Sequence, residues 1–143
     1  MIEIYTDGGA RGNPGPAAAG VVIGTPYNKN YSQYLGETTN NVAEYQAVVL
    51  ALTKLRALVG KENTKKADVV VNMDSQLAVE QLSGRYKIQS ENIIPLFIKI
   101  HNLRVDFKSV SFQHVRREQN KGADTMVNQE LDKHEGSGSL FNL

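Results

Sequence analysis

Four acidic residues carry the chemistry this sequence could perform: Asp7, Glu44, Asp74 and Asp124. Each lies where a core strand is expected to end or a helix to begin. Hard divalent cations such as Mg²⁺ and Mn²⁺ prefer oxygen ligands. Carboxylates brought together without a cation between them repel. A pair of such ions roughly 4 Å apart can activate a water and stabilise a leaving oxygen in phosphodiester hydrolysis. Each acid also has an ordinary explanation. Asp7-Gly8 is a common turn dipeptide. Glu44 lies three residues after Asn41, close to a capping box, and suits a helix dipole. An Asp following a strand, such as Asp74, often caps the next helix. Spacing alone leaves open whether the four converge.

The elements that must position them follow from periodicity. Residues 1–6 alternate around Ile2 and Ile4 as a strand ending on Asp7, with Gly8, Gly9, Gly12 and Gly15 predicting a glycine-rich turn. Residues 17–25 and 31–38 read as two further strands, joined by a turn-rich link, so the first three form an antiparallel meander. Asn41 is the expected N-cap of a helix whose apolar face runs Val42, Tyr45, Val48, Val49, Leu52, Leu55 and Val59, stopped by Gly60. Residues 67–73 hold three consecutive valines, a strand buried on both faces that delivers Asp74. Ser75 and Gln76 begin a short helix, and residues 91–103 a second one with Pro95 in its first turn. Residues 105–115 alternate as a fifth strand, and a last helix runs from about Asn120 to His134 with Asp124 in its first turns. Strands and helices in this order predict an α/β mixed sheet with helices on its faces.

Composition narrows the setting. The chain has 143 residues, 41% hydrophobic and 22% charged, the size and make-up of one globular domain. It has no cysteine, so disulfides and thiolate zinc sites are excluded. No run approaches about 18 apolar residues and the start lacks a signal-peptide layout, so a cytoplasmic protein is expected, and a monomer. The net charge of +1 is not that of a dedicated nucleic-acid binder, so a polyanionic partner must be held by local donors or a metal.

Four blocks in order resemble type I ribonuclease H: Tyr5-Thr6-Asp7-Gly8-Gly9 with Arg11-Gly12-Asn13-Pro14-Gly15-Pro16; Thr39-Asn40-Asn41-Val42-Ala43-Glu44; Asp74-Ser75-Gln76; and His114-Val115-Arg116-Arg117-Glu118 leading to Asn120 and Ala123-Asp124. The match spans residues 1–134, taken as the catalytic domain. The resemblance implies a five-stranded sheet of order 3-2-1-4-5 with strand 2 antiparallel to the rest. It implies endonucleolytic cleavage of the RNA strand of an RNA/DNA hybrid, leaving 5′-phosphate and 3′-hydroxyl ends. Asp7, Glu44, Asp74 and Asp124 would hold two Mg²⁺ or Mn²⁺ ions with substrate, Asp7 bridging them. Asn13, Asn40 and Gln76 match contacts to the hybrid's minor groove, with Asn41 beside them, and Thr39 matches a DNA-phosphate contact. Short amides can bond 2′-hydroxyls and base edges without reading sequence.

Two departures set this chain apart from many bacterial members. The stretch 83–91 replaces a basic, Trp-containing protrusion, with only Arg85 and Lys87 and no Trp in the chain; hybrid affinity is expected to be lower and more salt-dependent. The mobile-loop histidine has no clear counterpart, because the strand pattern puts His114 within the fifth strand. Its role falls to Arg117 or Glu118, or to no residue. The resemblance is to the compact branch without the protrusion, which implies a side activity on double-stranded RNA as an alternative. A non-catalytic hybrid-binding module is the rival of another class, and the presence of all four acids opposes it. Proofreading-type exonucleases on this fold place Asp-x-Glu on the first strand, where this chain has Asp7-Gly8-Gly9. Residues 135–143 read as a flexible or docked tail. Its Ser-Leu-Phe resembles the end of sliding-clamp-binding peptides without their leading Gln.

Overall fold

A computed structural model describes the chain as far as Phe141, with side chains described as far as Glu135. Three strands open it: β1 (Ile2–Ala10), β2 (Gly15–Ile23) and β3 (Lys29–Thr38). Then come α1 (Asn40–Val59), β4 (Asp68–Met73), α2 (Gln76–Leu82), α3 (Ile94–Val105), β5 (Ser109–His114) and α4 (Lys121–Phe141). The sheet order is β3-β2-β1-β4-β5. β2 runs antiparallel to β1 and β3, while β1, β4 and β5 are parallel. The expected topology is the observed one.

The helices divide unequally between the two faces. Strand alternation sends Val21 and Ile23 of β2 into the larger core, where Tyr45, Val48, Leu52 and Leu55 of α1, Val79 and Leu82 of α2, and Ile100 and Leu103 of α3 cover the sheet. The alternate residue Ala18 faces α4 and packs with Val127 and Leu131, beside half-buried Tyr34. Tyr45 is fully buried and its hydroxyl donates to Gln81 Oε1 at 2.6 Å, tying α1 to α2. Gln81 Nε2 donates in turn to the Lys87 carbonyl at 3.4 Å, which tethers the short loop after α2.

Several boundaries differ from the sequence expectation, each for a physical reason. β1 does not end on Asp7 but continues to Ala10, because its antiparallel ladder to β2 runs on to Ala10↔Ala17. The parallel ladder to β4 does stop early, at Thr6↔Met73. Asp7 therefore stands on the first turn-free stretch of β1 that has no neighbour on the β4 side. Gly8 and Gly9 are strand residues, not a turn. Thr39, not Asn41, caps α1: its Oγ1 accepts from Val42 N at 3.2 Å. Val105 closes α3 and Phe107 lies buried in the turn before β5, since a spacing of two apolar residues also fits a helix end followed by a loop. The backbone of α4 continues past His134. The Ser-Leu-Phe side chains on which the clamp contact rests lie outside the described residues.

Gly8 is where α1 meets the sheet. A Cβ there would lie 2.2 Å from the Ala43 carbonyl carbon and 2.4 Å from Glu44 N, both backbone atoms that cannot swing away. A Cβ on Gly9 would meet nothing closer than Val127 Cγ1 at 3.7 Å. Gly8→Ala should therefore cost at least about 2–3 kcal/mol of stability, whereas Gly9→Ala should stay within about 1 kcal/mol. Urea denaturation of the two variants checks this; equal midpoints would contradict the close approach.

Candidate active site

Asp7, Glu44 and Asp74 each offer a carboxylate oxygen, and these oxygens lie within 4.8 Å of one another. Three different elements deliver them. Asp7 is held in β1 by the ladder to β2, opposite Gly20. Asp74 is the first residue past the end of β4. Glu44 arrives on α1, whose backbone rests on Gly8. Asp124, in the first turn of α4, lines the same open cavity of about 430 Å³, with Asp7, Glu44, Asp74, Asn40 and Arg117. α4 comes this close because Gly20 has no side chain: a Cβ there would lie 2.3 Å from the Ala123 carbonyl oxygen. Asp124 joins the wall facing Asp7, within hydrogen-bond reach of it, and stands outside the tight triad.

The ordinary explanations for the first three acids fail on geometry. Asp7 is in a strand, not a turn. With Thr39 as cap, Glu44 falls beyond the first turn of α1 and completes no capping box. The cap of α2 is Ser75, whose Oγ accepts from Ala78 N at 3.2 Å, so Asp74 has no capping duty. Asp124 alone retains a local rationale, since a carboxylate in a first helical turn suits the helix dipole.

Like charges crowded in a partly buried site resist ionisation. Burial, together with the carboxylates of Asp74, Asp124 and Glu44, pushes the Asp7 carboxyl from 3.8 up to about 8. Burial, opposed by a hydrogen bond from the Ser75 hydroxyl and aided by Asp74, lifts Glu44 from 4.5 to about 7. Among the described residues no ion pair involves any of the four acids. Of the two arginines in the cavity wall, Arg11 is already paired to Asp132 and Glu135 on α4. An all-oxygen set with an excess of negative charge, open to solvent on one side, fits a hard divalent cation such as Mg²⁺ or Mn²⁺.

The other expected residues take distinct places. Asn40 lies in the cavity wall, and its Oδ1 accepts from Ala10 N at 2.8 Å. Asn13, in the β1–β2 turn, braces it: Asn13 Oδ1 accepts from Asn40 N at 3.0 Å. Both side chains thus spend their oxygens on the backbone and keep their NH₂ groups as donors. Thr39 is occupied as a cap but keeps a hydroxyl proton to donate. Asn41 is half-buried and Gln76 exposed, on the first turns of α1 and α2. Arg117 lines the cavity and exposed Glu118 follows it in a single 3-10 turn, Arg117–Gln119. His114 is the last residue of β5, as the strand pattern predicts. His134 stacks on Tyr34, with ring centroids 3.5 Å apart.

Sequence reasoning missed two residues behind the acids. Ser75 joins Glu44 to the start of α2 through its hydroxyl. Asn120, only 1% exposed, donates from Nδ2 to the Thr6 carbonyl at 2.9 Å, and its own carbonyl accepts from Asp124 N at 3.1 Å. It pins the peptide before Asp7 to the turn that carries Asp124. Asn120 Oδ1 and the neighbouring Thr6 Oγ1 are buried without a partner. Ser75 and Asn120 both stand in the blocks that resemble the family, but their types and spacing alone assign them no partner, since an Asn four residues before an Asp is something any helix start can show.

A family model described as reverse transcriptase-like matches residues 5–130. A ribonuclease HI of Halobacterium salinarum is 34% identical over 134 residues, covering 92% of this chain and 64% of that protein. A bifunctional protein of Mycobacterium tuberculosis is 36% identical over 135 residues, covering 92% of this chain, which spans only 35% of that relative's length. Among solved structures, the complex of LC11-RNase H1 with an RNA/DNA hybrid superposes with a TM-score of 0.88 at 44% identity, covering 94% of this chain and 99% of that one.

The raised carboxyls make a sign prediction for the metal-free protein. A carboxyl whose folded pKa lies above its unfolded value stabilises the fold fully below the unfolded pKa, and that stability is lost as pH rises through the folded pKa. The window here runs from about pH 4 to about 8. With EDTA present, Tm should fall across this window, and Asp7→Asn should raise Tm at pH 8 while changing it little at pH 4. Differential scanning calorimetry reads both; an Asp7→Asn variant less stable than the parent at pH 8 would contradict the repulsive cluster.

Proposed function

The chain belongs to the ribonuclease HI family, and from that premise we propose that it hydrolyses the RNA strand of RNA/DNA hybrids, leaving 5′-phosphate and 3′-hydroxyl ends. The observation that carries this reading is the convergence of Asp7, Glu44 and Asp74 within one ligand sphere, with Asp124 in the same wall. These four residues would hold two divalent cations, Mg²⁺ or Mn²⁺, which when bound supply an activated water and charge stabilisation at the phosphate. Asp7 lies beside Glu44 and Asp74 and also faces Asp124, so it would be the residue shared between the two cations. The carboxyls of Asp7 and Glu44 must give up their protons before they can hold a cation, so loading becomes easier as pH rises.

Strand choice follows from the donors around the cavity. The free NH₂ groups of Asn40 and Asn13 can donate to a ribose 2′-hydroxyl oxygen or to base-edge acceptors in a minor groove, with no preference among bases. Gln76 extends this row on the α2 side. The Thr39 hydroxyl, at the positive end of the α1 dipole, forms a favourable place for a phosphate of the second strand. Arg117 in the cavity wall would supply a cation near the substrate phosphates, and the role of the missing loop histidine would fall to Arg117 or Glu118, or to no residue. The loop after α2 adds little charge, because Arg85 is held bidentately by Glu80 at 2.6 and 2.7 Å, leaving Lys87. Among the described residues no helix is long and apolar enough to cross a membrane.

One end-labelled sequence, prepared as RNA/DNA hybrid, RNA/RNA duplex and single-stranded RNA, tests the reading with Mg²⁺, Mn²⁺ or EDTA. Metal-dependent cutting of the hybrid's RNA strand is expected. Asp7→Asn should lose cleavage and still bind the hybrid, and Asn40→Ala should raise KM more than it lowers kcat. Hybrid binding without cleavage by the parent protein under either metal would replace hydrolysis with a binding-only role. Equal cutting of the RNA/RNA duplex would broaden the substrate class.

A further inference from the structure

The helix that presents Asp124 has a thin apolar footing. Among the described residues its buried cluster is Val127 and Leu131 against Ala18, with Tyr34 alongside, whereas α1 on the opposite face buries Tyr45, Val48, Leu52, Leu55 and more. α4 must nevertheless carry a fourth carboxylate up to three others, against like-charge repulsion.

Arg11 supplies what opposes it. The residue sits just past the end of β1 and reaches across to α4. Its Nη2 lies 2.7 Å from Asp132 Oδ1 and donates to Asn128 Oδ1 at 3.2 Å; its Nη1 lies 2.9 Å from Glu135 Oε1. Positions 124, 128, 132 and 135 fall at spacings of four, four and three, which is one stripe of a helix. The stripe that Arg11 grips is therefore the one that presents Asp124. Asn128 closes the link, since its Nδ2 donates to the Asp124 carbonyl at 3.1 Å. The anchor end is firm: Arg11 N donates to the Pro16 carbonyl at 2.8 Å, and the Arg11 carbonyl is crowded against Gly15, where a Cβ would lie 2.2 Å away. Asn13 in the same turn is braced on α1.

We propose that Arg11 is a positioning residue that, by gripping Asn128, Asp132 and Glu135, holds the first turns of α4 and so fixes Asp124 against Asp7. The proposal rests on the reading of Asp124 as one of the cation-holding residues. Because its partners are the outer acids of α4, Arg11 steadies the cluster and leaves the cluster's own charge available to a cation. Its side chain is 33% exposed, so the grip is open to screening by salt.

The test compares Arg11→Ala, the pair Asp132→Asn with Glu135→Gln, all three together, and Arg11→Lys. Three readouts are taken: hydrogen–deuterium exchange of residues 121–128, calorimetric titration with Mn²⁺ at low salt, and kcat and KM on a hybrid. Both Arg11→Ala and the pair should speed exchange in those turns and weaken Mn²⁺ binding about two- to fivefold. The triple variant should be no worse than Arg11→Ala, because one linkage is being cut twice. Arg11→Lys should recover part of the loss, since it keeps the charge without the fork. High salt should shrink every difference. Unchanged exchange in Arg11→Ala overturns the proposal, and so does a lower Tm with unchanged Mn²⁺ affinity. A rise in KM for Arg11→Ala alone, with the Asp132/Glu135 pair like the parent, would also overturn it and make Arg11 a phosphate contact. Asp124→Asn is the control: if it binds Mn²⁺ as the parent does, the metal reading of Asp124 fails, while the exchange data still judge the grip.

Discussion

The site depends on two backbone approaches that only glycine permits, one on each side of Asp7. Gly8 lets the Ala43–Glu44 peptide of α1 rest on β1, and Gly20, the cross-strand partner of Asp7, lets the Ala123 carbonyl of α4 rest on β2. Helices cover opposite faces of the sheet, so their side chains would ordinarily be kept apart by its thickness. They meet here because both helices press to contact at adjacent register positions, Gly8↔Ala19 and Asp7↔Gly20, and because the ladder between β1 and β4 has just ended at Thr6↔Met73. Asp74 enters through the gap that this ending leaves. The apolar cores hold the layers together, but these contacts determine where the acids lie.

Such an arrangement works against its own stability. Four carboxyls face one cavity without a paired cation among the described residues, and Asp7 and Glu44 are driven toward their neutral forms. The surrounding hydrogen bonds restrain the acids without cancelling their charge. Asn120 fastens the peptide before Asp7 to the turn before Asp124. Ser75 holds Glu44 from the start of α2 while capping that helix. Neutral donors in these positions preserve the negative field that a divalent cation would enter, and a lysine in their place would fill the site itself.

Much of this was legible in the sequence because it rests on local pattern. Three valines before Asp74 announced a central strand, and the blocks around Asp7, Glu44, Asp74 and Asp124 announced the family and the sheet order that follows from it. What could not be read depends on partners distant in sequence. The glycines after Asp7 looked like a turn, since Gly8 and Gly9 reveal themselves as strand only through pairing with Ala19 and Ala18. Asn41 was the expected cap because it precedes the apolar face, but the hydrogen bond from Val42 N that settles the cap goes to Thr39. Asn120 is separated from its acceptor by 114 residues, and no spacing rule reaches that far.

The abrupt end of the β1–β4 ladder has a consequence for how this architecture can be varied. Asp7 and Asp74 are set relative to each other by backbone hydrogen bonds between two adjacent strands, so their separation is insulated from the length of any connection. The segment between α2 and α3 is tethered at Lys87 through Gln81 and anchored by Ile88 and Ile93 on the core. Its exposed residues, 85–87 and 89–92, can be varied while the ladder keeps the two acids in place. Evolution and the protein engineer thus inherit the same freedom: the spacing of the two acids and the make-up of that exposed loop sit on separate parts of the chain and can be tuned one at a time.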